Sequence, residues 1–235
     1  IEPRAQAQHN HGIEIETTKE KRKEIKRIFE NSGIECACLA TSIRYCFSSK
    51  KDREKYVELT KRFIELASDI GCKRIRVFGG IPDREDMEEK EAIEVVAESL
   101  SKLKDFAKTH RVYICIETHD YFSRAERVRR VLDKVKGKYI KANWDIMHPF
   151  THGMSIEEAF NLLKGYIEHC HIHDGKYDEE GKPQLALMGE GEIPYDIAVK
   201  LLKKVKYNGY LSGEYIRAWK PEIVLPHDIK ILKNY

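Results

Sequence analysis

The 235-residue chain carries 42 Lys+Arg against 39 Asp+Glu, a formal net charge of +3, so no strong field marks it for nucleic acid or a membrane surface. Its 14 Gly and 7 Pro are ordinary numbers that exclude collagen-like and disordered classes. Apolar runs of at most five residues, against the roughly 18 needed to span a bilayer, imply a soluble chain without a membrane partner.

In chain order, Ile1-Glu2-Pro3-Arg4 reads as a short opening strand, followed by a helix near 17–32 and a strand over Ile34–Ala40. A helix over 51–70 places Tyr56, Leu59, Phe63 and Leu66 on one side. Strand Arg74–Phe78, helix 84–109, strand Arg111–Glu117, helix 123–136 and strand Tyr139–Asp145 continue the alternation. Helix 155–165, strand Ile167–His173, helix 195–206, strand Gly209–Glu214 and a C-terminal helix complete it. Gly33, Gly71 and Gly137 fall where left-handed helix caps are expected. The stretch 175–193 is the one long connection without periodicity, and it is expected to cover a site, hinged at Gly181, Gly189 and Gly191.

Strands alternating with helices at about 30 residues per unit predict a parallel sheet with helices outside it. At this length the natural closure is a single α/β domain over 1–235, a TIM (β/α)8-type barrel. Only seven strands are counted, so one βα unit is missing, most simply the first. Strand Gly209–Glu214 would then face a gap, filled by upstream residues or covered by a second copy in a homo-oligomer. The six cysteines form no CxxC pair and sit in apolar runs, as reduced core residues of a cytoplasmic protein do. Cys36 and Cys38 have the spacing of alternate strand positions, which packing explains without a metal or redox role.

Four strands in succession end in a side chain able to bind metal: Glu117, Asp145, His171 and Glu214. All C-terminal strand ends of a parallel barrel meet at one mouth, so these groups converge. Three carboxylates in otherwise apolar strands are costly to bury unless paired or coordinated, which asks for a divalent ion such as Mn2+, Mg2+, Co2+ or Zn2+. Each alone has a plainer reading, as a polar strand end capping the next helix or pairing with a lysine. His148 and His119 follow Asp145 and Glu117 closely and are candidates for support or substrate contact, or exposed loop histidines. His169, His171 and His173 share one strand face; one suffices as a ligand, and His173 is a candidate substrate contact.

These motifs resemble the sugar phosphate isomerase/epimerase family, the xylose-isomerase-like TIM barrels that also include endonuclease IV-type enzymes. The resemblance runs from IEPR, similar to the family's second strand, through IRVFGG, IET, Asp-x-x-His, His-x-x-Asp and GEGEIPY to the closing GY-x-x-x-E. It implies that Glu117, Asp145, His171 and Glu214 bind the metal, and that His148 and Arg76 touch substrate. His171 is preferred to His173 because the family's ligand lies three residues before an acidic residue, here Asp174. The family's first strand and helix have no counterpart in this sequence. The endonuclease branch needs further histidines where this chain has Ala40-Thr41 and Phe78-Gly79-Gly80, with only His9 and His11 early in the sequence, so a nucleic-acid substrate is not expected.

Resemblance and chemistry together imply proton transfer next to the carbonyl of a sugar or polyol, through an enediolate stabilised by the metal. Glu117 and Glu214 approach from different strands, one to remove the proton and the other to return it. Return to the opposite face is epimerisation, and return to the neighbouring carbon is aldose–ketose isomerisation. The alternatives are dehydration of an inosose or dehydroshikimate-like substrate, and cleavage of abasic DNA.

Overall fold

Seven extended segments form the inside of the molecule, and helices lie outside them. The computed structural model describes residues 1–7, 9–215 and 218–235. Its parallel sheet has six strands: β1 (Leu39–Ala40), β2 (Arg74–Phe78), β3 (Tyr113–Glu117), β4 (Ile140–Asp145), β5 (Ile167–Ile172) and β8 (Leu211–Gly213). They lie in the order β1-β2-β3-β4-β5-β8. The opening segment extends this sheet beyond β1, with Arg4 bridged to Ala40 and Ala5 N donating to Ala40 O at 2.9 Å. The sheet curls into a half-barrel, because side chains reach across its concave face: Arg74 of β2 pairs with Glu168 of β5 at 2.9 Å.

Strand parity separates two layers. Ile114 and Ile116 on β3, Ala142 and Trp144 on β4, and Cys170 and Ile172 on β5 pack under the helices and are buried. The alternate residues Arg76, Cys115, Glu117, Asn143, Asp145, His169 and His171 fill the concave face, and they too are buried. The outer layer holds α1 (Lys19–Ser32), α2 (Lys50–Asp69), α3 (Glu89–Ser101), α4 (Lys104–His110), α5 (Ala125–Val135), α7 (Ile156–Leu163), α8 (Tyr195–Lys204) and α9 (Pro221–Leu232). No described helix is long and apolar enough to cross a membrane.

Several expected elements change in extent. Of Ile34–Ala40 only Leu39–Ala40 joins the β2 ladder, while Ala37 N and Ala40 N donate on the other edge to Ile1 O and Pro3 O of the opening segment. The helix expected over 84–109 starts at Glu89 and breaks after Ser101. Near that break the Ser99 hydroxyl donates back to Val95 O at 2.8 Å, a bond that bends helices. Gly33 caps α1 at φ 66° and Gly71 follows α2 at φ 83°, but α5 ends with Lys136 in the left-handed conformation. Gly137 serves close approach instead, since a Cβ there would meet the Ile140 side chain at 2.7 Å.

The stretch 175–193 is also more ordered than its composition suggests. It carries an antiparallel hairpin of β6 (Asp174–Tyr177) and β7 (Pro183–Ala186), turning at Gly181 with φ 74°. Beyond it, Asp174 gathers the chain: its Oδ1 accepts from Gly175 N and Ile193 N, and its Oδ2 from Gly189 N and Gly191 N. Two of the three expected hinge glycines are therefore pinned. Among the described residues β8 pairs only with β5, so its far edge faces the opening segment across a seam. All six cysteines are buried and free.

Candidate active site

The C-terminal ends of β3, β4, β5 and β8 meet at one end of the concave face. Register puts Glu117 beside Asn143, Asp145 beside His171, and His171 beside Ser212, with Glu214 just beyond β8. Donor atoms of Glu117, Asp145, His171 and Glu214 all lie within 4.8 Å of one another. Three of these residues are fully buried and Glu214 is about a quarter exposed. His171 is at the centre: its Nδ1 lies 3.2 Å from Glu117 Oε1 and 3.0 Å from Glu214 Oε2.

Arg76, on β2, joins the same group. Its Nη1 donates to Thr41 O at 2.8 Å, its guanidinium stacks on Phe78 at 4.1 Å, and its Nη2 is 3.9 Å from Glu214 Oε1. Its Nε lies 3.0 Å from Glu117 Oε2, off the direction of a hydrogen bond, so that buried oxygen has no hydrogen-bond partner among the described residues. Asp145 is held from two sides. Its Oδ1 accepts from Met147 N at 2.9 Å and His148 N at 3.1 Å, starting the short helix α6 (Met147–Thr151), and its Oδ2 lies 2.9 Å from His173 Nε2.

Charge on these groups follows from their neighbours. Burial would raise the Asp145 carboxyl, but the adjacent charges of His173 and His148 outweigh it and hold it well below the usual carboxylate range. Burial likewise opposes ionisation of Glu214, and the hydrogen bond and charge of His171, with Arg76 behind them, lower it. His171 is pushed well above an ordinary imidazole: burial works against its charge, and Glu2 and Glu117 overcome burial. His173 is raised by Asp145 against burial, whereas burial keeps His148 below its ordinary value.

Three imidazoles form a row beside this cluster. His148 Nε2 is 4.0 Å from Asp145 Oδ2, and the His119 ring meets His148 edge-on at 4.3 Å between centroids. His119 also packs on Phe78 and pairs with Asp120. His148 and His173 open onto a cleft of about 510 Å³ bounded by Met147, Thr151 and the hairpin residues Pro183, Gln184 and Leu185. A second cleft, of about 630 Å³, reaches His171, Glu214 and Arg76 from the seam.

The expected residues thus assemble into one neighbourhood, with Glu117, Asp145, His171 and Glu214 as the tight group and Arg76, His119, His148 and His173 around it. Glu2 belongs there too and was not anticipated: it reaches across the concave face to His169 and His171. Its signal was parity, since Glu2 and Arg4 share one face of a segment read as a strand. Asn143, whose amide is 3.2 Å from His171 Nε2, carried no motif.

The donor set fits a divalent cation. Three carboxylates and one imidazole nitrogen suit Mn2+, Mg2+, Co2+ or Zn2+, and the oxygen of Glu117 without a hydrogen bond is one that a cation would satisfy.

The family model described as "Xylose isomerase-like TIM barrel" matches residues 2–235. The chain is 25% identical over 203 residues to the 3-dehydroshikimate dehydratase of Bacillus anthracis, covering 80% of this chain and 71% of that protein. In structure it resembles 3-keto-D-glucoside 4-epimerase from E. coli, with a TM-score of 0.76, 17% identity, and 92% of this chain and 86% of that one covered. It also resembles the IOLI protein, whose crystal structure holds a zinc atom, at a TM-score of 0.76, 18% identity, and coverage of 91% and 79%.

Proposed function

The chain belongs to the xylose isomerase-like TIM barrel family, and we propose that it is a divalent-cation-dependent isomerase or epimerase of a sugar or sugar phosphate, working by proton transfer next to a carbonyl. The observation that carries this reading is the convergence of Glu117, Asp145, His171 and Glu214 at one end of the half-barrel. When bound by these four groups, a divalent cation supplies stabilisation for the negative charge that develops on a carbonyl oxygen.

Glu117 and Glu214 arrive from β3 and from the end of β8, and their carboxylates border the same space beside His171 Nδ1. One takes the proton from the carbon next to the carbonyl and the other returns a proton. Delivery to the opposite face of that carbon inverts it, and delivery to the former carbonyl carbon interconverts aldose and ketose. Arg76 lies against both carboxylates, and its charge adds to that of His171 in favouring the charged, proton-accepting form of Glu214. His148, at the rim of the cleft with its basicity lowered by burial, is placed to hydrogen-bond a substrate hydroxyl. His119 braces His148 by their edge-on contact. His173 holds Asp145 and borders the same cleft, where it would meet substrate.

A second reading, dehydration, is favoured by the similarity to the Bacillus anthracis dehydratase. The same carboxylate would remove the proton next to the carbonyl, and a hydroxyl on the following carbon would leave as water with one added proton. Metal analysis of the purified protein, then NMR of ketoses, ketose phosphates and cyclic hydroxyketones in deuterated water, tests both. Deuterium entering beside the carbonyl with retention of all hydroxyls supports isomerisation or epimerisation; a conjugated product absorbing in the near ultraviolet supports dehydration. A protein that binds no divalent ion and catalyses neither refutes the proposal.

A further inference from the structure

We propose that Glu2 is a positioning residue of the cation site, holding the His171 ring so that Nδ1 faces Glu117, Asp145 and Glu214. The inference rests on the cation-binding reading above and concerns a residue outside the four donors. Glu2 lies on the opening segment, on the opposite side of the concave face from β5, yet both of its oxygens are engaged there. Oε1 is 3.0 Å from His171 Nε2 and Oε2 is 2.8 Å from His169 Nε2.

The geometry leaves little freedom. His169 and His171 are two residues apart on one strand face, and their rings stand nearly perpendicular, 82° apart with centroids at 5.4 Å. One carboxylate tied to both is fixed in position and in rotation, and the Glu2 side chain is only 13% exposed. Ser212 Oγ, 3.2 Å from His169 Nε2, supports the outer ring. Asn143 sets its amide nitrogen Nδ2 3.2 Å from the same Nε2 and leaves Oδ1 without a partner among the described residues; with the proton on Nε2 both would be donors, so this tautomer requires the amide turned to bring Oδ1 to the ring.

An imidazole offers a lone pair at one nitrogen only when the proton sits on the other. Glu2 accepts at Nε2, so it selects the tautomer whose Nδ1 is free to bind a cation, and its charge makes that nitrogen more basic. Glu2 faces the opposite ring nitrogen from the cluster, so for His171 it acts through the ring and not as a fifth ligand. A role confined to satisfying buried histidines would leave cation affinity and coordination geometry unchanged.

The test is Glu2→Gln in the full chain, titrated with Co2+ against a competing chelator and followed by the visible absorption of the bound ion. Dissociation constants should rise about 10–100-fold, the usual effect of removing a group that orients a metal ligand, and the cobalt spectrum should shift. If Glu2→Gln does not fold, Glu2→Asp, which keeps the charge one methylene short, carries the test in the same direction. Parental affinity with a parental spectrum in the variant that folds overturns the inference while leaving the cation site standing. A parent chain that takes up no Co2+ overturns the site reading and this inference together. Two ions per parent chain, the second lost in Glu2→Gln, also overturns it, because Glu2 would then be a direct ligand with its neighbours Cys38 and His169.

Discussion

Asp174 should decide whether the strap between β7 and α8 stays docked against the end of β5 and the start of β6. Its carboxylate is 1% exposed and accepts four backbone N–H bonds, from Gly175 at 2.7 Å, Gly189 at 2.8 Å, Gly191 at 3.0 Å and Ile193 at 3.1 Å. The strap lies directly on it, since a Cβ on Gly191 would stand 2.2 Å from Asp174 Oδ1. In Asp174→Asn one oxygen becomes an NH2 group, and whichever way the amide turns, two of the four N–H donors face another donor. Hydrogen bonds to a charged acceptor contribute about 1.5–3 kcal/mol each, so two lost bonds cost about 3–6 kcal/mol. The strap can swing out and hydrate those donors, so the cost appears as local opening, raised about 10²–10⁴-fold. Hydrogen exchange measured on peptides spanning 186–195 reads this directly, with Tyr113–Glu117 of β3 as the control for global unfolding. Parental exchange at all three of Gly189, Gly191 and Ile193 in Asp174→Asn would refute the reasoning, and equal acceleration in β3 would mean that the whole fold had loosened instead.

Asp145→Asn and His171→Ala should each lower the divalent-metal content left after dialysis; retention of the parental amount would remove that residue from the ligand set. Glu117→Gln and Glu214→Gln should each reduce turnover by at least the ~10²–10⁴-fold typical of a lost general acid or base, and near-parental rates would exclude the residue from proton transfer. His148→Ala is expected to raise KM with little change in metal content, whereas loss of metal in proportion would make it a ligand. In the native protein Cys38, Cys46, Cys115 and Cys170 should resist a thiol-specific colour reagent at neutral pH. Burial pushes the Cys46 thiol up to about 12, with Asp83 and Glu91 adding to it, and Cys38 and Cys115 are raised by burial as well. All six thiols should react in denaturant, and rapid native reaction of those four would contradict their placement in the core.

The amino-acid sequence by itself determined the alternation of strands and helices, because apolar residues recur at the period each element needs to bury one face. It also determined which residue types stand at the strand ends. Glu117, Asp145, His171 and Glu214 were legible because a parallel barrel brings every C-terminal strand end to one mouth, whatever their separation along the chain. Local signals could not supply interactions made across the concave face. Glu2 and His169 are joined only by the curl of the sheet, and no spacing rule links a residue at the start of the chain to one on β5. The same holds for Asp174, whose partners Gly189, Gly191 and Ile193 lie beyond a hairpin that polar, glycine-rich residues did not announce. That α5 is capped by Lys136, and that Gly137 instead gives clearance to Ile140, turns on single backbone angles and side-chain distances, which periodicity averages away. Periodicity thus decided which face each element buries, and only tertiary structure decided which polar groups on the concave face satisfy one another. Burial forces those groups to find partners, while the choice of partner depends on distances set by the curvature of the whole sheet.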